Sequence, residues 1–215
     1  MAFPTVVDRW AGGASSANAT NHTITTTGHT QTIADGCLWV VIVSCDGNPT
    51  LTASNGGSEV TWQKLGQASN TTVVSGAIFY GVATSGAGQY NSGSGPNMTI
   101  TTTASEQISY SFIAFSGSSL QIDGVSSNGS TTNSDPGDLS STNDVLGLID
   151  GTSKDYHWIA TRSGDSTVQA TAAPASYTNL TTQAAGGTNG AATATADRQL
   201  NAASENPGTF TSALE

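Results

Sequence analysis

The chain has 215 residues, only 9% of them charged, and 33 threonines, 28 serines and 25 glycines set its character. Fifteen Asp and Glu against five Lys and Arg give a net charge of −10, a field that repels polyanions and argues against nucleic acid or an anionic membrane as partner. A hydrophobic content of 36% is enough for one sizeable core and excludes a charge-driven disordered chain.

Residues 1–19 read as an extended N-terminal arm. Phe3, Val6, Val7 and Trp10 are apolar enough to dock on something, while the spacer A-G-G-A-S-S-A-N-A-T behind them buries almost nothing. The arm either straps the chain's own domain or anchors it to a neighbour, and the anchor is the expectation taken forward. No basic n-region or apolar h-region precedes it, so no secretion signal is expected.

Weak alternation over 20–25 and 29–33 predicts short strands, and 38–43 is apolar on both faces, as a central strand requires. D-G-N-P at 46–49 is a turn, combining Asx bonding with a pre-set proline. Strands follow at 60–65, 72–83, 98–103 and 108–116; Gly76, inside the second of these, marks a bulge or a close approach by another part of the chain. Residues 117–143 far exceed the usual connection of about 4–6 residues and read as a long functional loop or a crossing between halves. Strands resume at 144–149 and 156–162. After them 164–200 is dominated by Ala, Thr and Gly, with a turn at G-G-T-N-G (186–190) and a strand of small residues at 191–196. Ser204 could cap one helical turn over 204–208, which Pro207 and Gly208 would end.

No segment holds the i, i+3, i+4, i+7 pattern. The predicted fold is all-β: one antiparallel β-sandwich over 20–215, jelly-roll-like, with under about 10% helix.

Cys37 and Cys45 end one apolar run, roughly 26 Å apart if it is extended, too far for a disulfide. Two and six residues from Trp39, they share its face of the strand and read as inert core thiols. His22 and His29 read as polar or hydrogen-bonded side chains, and His157 as a sheet-surface residue or part of an aromatic patch. Asp150–Asp155 lacks the glycine and glutamate of a calcium-binding loop. Asp135, Asp138 and Asp144 are a weak calcium candidate, against the plainer reading of a solvated acidic loop. No nucleophile elbow or phosphate loop occurs, and Glu59, Glu106 and Glu205 sit in no distinctive setting, so neither enzyme nor cofactor is expected. Trp10, Trp39, Trp62 and Trp158 divide between core packing and an exposed platform for a sugar or a protein; Trp39 is core by default.

The stretches D-G-C-L-W-V-V-I-V-S-C-D-G-N-P-T-L-T-A, W-Q-K-L-G-Q-A-S-N and A-I-F-Y-G-V-A resemble β-sandwich proteins of tailed bacteriophages and prophages. So do T-T-T-A-S-E-Q-I-S-Y-S-F-I-A-F-S-G and A-A-S-E-N-P-G-T-F-T; together they span most of 33–215. The resemblance implies a virion structural protein: a capsid decoration protein on the outer face of the shell, with the major capsid protein as partner and a homotrimer favoured. A tail-fibre or baseplate adhesin, or a carbohydrate-binding module, is the alternative it leaves. It also implies one more strand after 202–211, without which an edge of the sandwich stays open.

Overall fold

The computed structural model describes residues 3–24, 35–55, 60–70, 73–83, 98–116, 120, 122–129, 139–140, 154–187 and 189–212. Every regular element among them is a strand, and every pairing between strands is antiparallel. In chain order they are β1 (Thr5–Ile24), β2 (Leu38–Asp46), β3 (Leu51–Asn55), β4 (Gln63–Asn70), β5 (Val74–Val82), β6 (Met98–Ser116) and β7 (Leu139–Ser140). There follow β8 (Lys154–Asp165), β9 (Ala170–Ala172), β10 (Thr178–Ala184), β11 (Ala191–Ala202), β12 (Ser204–Glu205) and β13 (Thr211–Ser212).

The larger sheet runs β1-β6-β2-β5-β4, with β3 also paired to β6; the second runs β10-β11-β8. Period-2 alternation along β2 explains why it lies inside the larger sheet. Cys37, Trp39, Val41, Val43 and Cys45 enter one core with Phe79, Ile108 and Phe112, while Leu38, Val40 and Ile42 enter another with Ile113 and Phe115. A third core lies around the second sheet, where Trp158, Ala160, Ala194 and Ala196 meet Tyr177 and Phe210.

The two segments 98–103 and 108–116 are one strand. β6 continues through the exposed residues 103–105, and β1 follows it with register shifts between Ser15 and Asn21. A further shift falls between Trp10 and Gly13. Gly12 there has φ +75°, and a Cβ on it would lie 2.1 Å from the Tyr110 carbonyl oxygen, so the position tolerates only glycine.

Gly76 is the close approach and not a bulge. Its pairing with β2 is unbroken, and a Cβ would meet Ser163 Oγ of the second sheet at 2.2 Å. Around this contact the sheets meet through hydroxyls. Ser44 Oγ donates to Ser163 Oγ (2.7 Å), Thr193 Oγ1 donates to Ser44 Oγ (2.8 Å), and Ser109 and Thr193 share a bond of 2.7 Å. Small side chains bring the layers close, and mutual bonding satisfies their buried oxygens.

β1 runs through residue 19 and pairs along β6 as an edge strand of the larger sheet. No helical turn forms at 204–208; Ser204 and Glu205 pair instead with Ser140 and Leu139, inside the stretch read as loop. β10 was not predicted, and it supplies the outer strand of the second sheet. The strand expected at 144–149 lies outside the described residues.

Candidate functional site

Alternation along β11 turns Thr193, Thr195 and Asp197 to one side, and all three are buried. Asp197, only 2% exposed, is the most demanding of them, since a buried carboxylate must be paired and hydrogen-bonded. Arg9, carried by β1, donates Nε (2.9 Å) and Nη2 (2.6 Å) to its two oxygens in a bidentate fork. His157 Nε2 on β8 lies 2.5 Å from Oδ2, and Asn179 Nδ2 on β10 donates to Oδ1 at 3.1 Å. Four strands therefore converge on one carboxylate.

Burial alone would push the Asp197 carboxyl up. The bonds from His157 and Arg9, the Arg9 charge and the Asn179 amide outweigh it and hold the group at about 2. Asn179 reaches the carboxylate from the left-handed region, φ +55°, a conformation that asparagine accepts more readily than most residues. Its second amide bond goes to Thr178 Oγ1 (3.1 Å), which in turn donates to the Asp197 carbonyl (3.3 Å).

The His157 ring lies edge-on to Phe115, with centroids 4.8 Å apart. Its Nδ1 is buried and has no hydrogen-bond partner among the described residues. An Asp–His pair serves nucleophilic catalysis when the far ring nitrogen faces a hydroxyl or thiol. Among the described residues that nitrogen meets no hydroxyl or thiol.

Beside the carboxylate opens a pocket of about 350 Å³, lined by Thr5, Arg9, Thr178, Asn179, Arg198 and Gln199 among others. Arg198 pairs with Glu205 at 3.1 Å and lies over the Tyr177 ring, 5.6 Å from its centroid. Two of the chain's five basic residues thus border one pocket.

The residues singled out from sequence lie elsewhere, His157 and Val6 apart. Val7 and Trp10 pack on the first core, Trp10 stacked on Phe112 at 5.3 Å, and Val6 packs on the cluster around Ile113 and also borders the pocket. Phe3 is half-buried. Val6, Val7 and Trp10 of the arm are thus partly buried against the chain's own cores. Cys37 and Cys45 are buried and unbridged on the Trp39 face, and burial, with the Glu106 and Asp46 charges, pushes the Cys45 thiol up to about 12. His22 is buried, bonded through Nε2 to the Ala19 carbonyl (3.0 Å), and burial lowers its pKa. Glu106 is raised by burial and by Asp46, while Glu205 is the partner of Arg198.

Trp39, Trp62 and Trp158 are all buried, so among the described residues no tryptophan stands out as a stacking platform. His29, Glu59, Asp135, Asp138 and Asp144 lie outside the described residues. Among those that are described, no group of three or more His, Cys, Asp or Glu is placed to hold a metal ion, and no helix is long and apolar enough to cross a membrane.

Sequence reasoning missed Arg9, Asn179 and Asp197. One signal was available: in A-T-A-T-A-D, Asp197 falls in phase with Thr193 and Thr195, which marks it as inward-facing if they are. Comparison with protein-family models, curated proteins and solved structures finds no match to this chain.

Proposed function

We propose that the chain is a non-enzymatic structural protein of a tailed-phage virion, a jelly-roll-like sandwich that decorates the outer face of the capsid. The observation that carries the non-enzymatic part is the use made of Asp197 and His157. Their bonds tie the first strand to the second sheet, and among the described residues the far ring nitrogen meets no nucleophile. The virion assignment comes from the sequence resemblance, and the surface is compatible with it. Val73 and Val82 are the large hydrophobics exposed among the described residues, so contact with capsid subunits would be polar and wet. A total interface of roughly 1,200–2,000 Å² per copy, repeated over a shell, stabilises without any single strong site. The partner is the major capsid protein, and a homotrimer is the favoured assembly.

The test is uptake of the purified protein by undecorated capsids, followed by cryo-microscopy of whole virions. Density on the shell at symmetry-related positions is the expected result. Density confined to the tail tip would overturn it in favour of a fibre or adhesin, the second reading, for which the pocket beside Arg9 is the supporting observation.

A further inference from the structure

We infer that the pocket between the start of β1 and the second sheet binds a single sugar ring bearing a carboxylate. Its volume, about 350 Å³, is at the lower end of small-molecule sites, which run from about 300 to 1,000 Å³, so it admits one ring and not a chain.

The class of ligand follows from which polar atoms remain unused. Arg9 commits Nε and Nη2 to Asp197, and Nη1 has no partner among the described residues. Its side chain is 30% exposed and within reach of a solute. Asp197 itself offers nothing more, because Arg9, His157 and Asn179 already occupy its oxygens. Both Asn179 amide hydrogens are committed, to Asp197 and Thr178, which leaves Oδ1 as an acceptor. Gln199 makes only a long bond of 3.4 Å, from Nε2 to the Pro4 carbonyl, and its Oε1 is likewise an open acceptor. Two N–H groups on a cation beside two amide acceptors match a solute that carries an anionic oxygen pair and hydroxyl donors. Inorganic phosphate offers the anion with few donors, and a neutral sugar offers the donors without the anion.

The site is also pre-built. The left-handed Asn179, the bidentate fork on Arg9 and the ring packing of Arg198 on Tyr177 hold three of its walls before any ligand arrives. It stands whether or not the chain sits on a capsid, and shell uptake measured on the same variants separates the two failures.

The experiment is a titration of the ¹⁵N-labelled full chain with glucuronate, with glucose and inorganic phosphate as controls. Glucuronate should give saturable shifts confined to amides around 5–9, 178–179 and 197–199, and glucose should bind at least about tenfold more weakly for want of the charge-assisted bond. Thr5→Trp fills the mouth from an exposed position outside the carboxylate network, and should abolish the shifts while leaving the melting temperature unchanged. Gln199→Ala, also exposed, should weaken binding. Equal affinity for glucose, equal affinity for phosphate, no saturable shift, or binding that survives Thr5→Trp would each overturn the proposal.

Discussion

Replacing Asp197 with asparagine keeps the shape of the side chain and removes its charge. In the native chain this carboxyl is held at about 2 instead of its ordinary 3.8, so by linkage it contributes on the order of 2 kcal/mol at neutral pH. Breaking a buried ion pair from one side costs about 3–5 kcal/mol in general. The Arg9 side chain is 30% exposed and can turn its stranded charge to water, which places the loss at or just below the lower end of that range.

Because the folded pKa is depressed, the contribution is complete above the unfolded value of 3.8 and is lost as pH falls through about 2. Urea unfolding followed by tryptophan fluorescence reads both effects. A slope of about 2 kcal/mol/M puts the Asp197→Asn midpoint about 1 M below wild type at pH 7, with the gap closing as pH approaches 2. A shift under about 0.3 M at pH 7, or a gap that persists unchanged at pH 2, would refute the buried-clamp reasoning.

Thr193→Val strands the hydroxyl of Ser109, while Ser44 keeps its bond to Ser163, and should cost about 1–3 kcal/mol, part of which returns when Ser109→Ala is added, as denaturation midpoints will read. Native protein at pH 8 should resist thiol reagents, because burial and two nearby carboxylates hold Cys45 at about 12, and both cysteines should react after denaturation with no two-dalton mass deficit beforehand. Deleting residues 2–12 removes the Trp10 stack on Phe112 and the Arg9 fork, so the melting temperature should fall by many degrees; an unchanged value would return the arm to the role of an external anchor.

The larger sheet was legible where side chains alternate between two apolar faces. Trp39, Val41 and Val43 against Leu38, Val40 and Ile42 dictate a central strand without tertiary information. β10 was not, because T-N-L-T-T-Q-A carries one large apolar residue, and hydroxyl pairing with β11, such as Thr181 with Thr195, holds it there. The split assigned to β6 came from the polar run 103–106, where the ladder with β1 is itself interrupted: Glu106 pairs with Ala19 and Thr101 with Asn21, with register shifts on either side of Ala19. The site was hidden for a different reason. Arg9 and Asp197 are 188 positions apart, each next to an opposite charge in sequence (Asp8 and Arg198), and only the packing of the two sheets brings them to 2.6 Å.

The seam between the sheets is fastened at two places, the hydroxyl cluster at Thr193 and the ionic cluster at Asp197, four residues and roughly 13 Å apart along the same strand. A single fastening would act as a pivot. Two of them, with Val40, Ile113 and Phe115 packed in the same cluster as Ile159, fix the angle of one layer on the other as well as its position. Tension applied at the N-terminus consequently has a short route: along β1 to Arg9, through the guanidinium into β11, and into the second sheet without first unzipping the long ladder between β1 and β6. The clamp makes the domain a stiff coupling, in which a pull on its first strand is resisted by both layers at once.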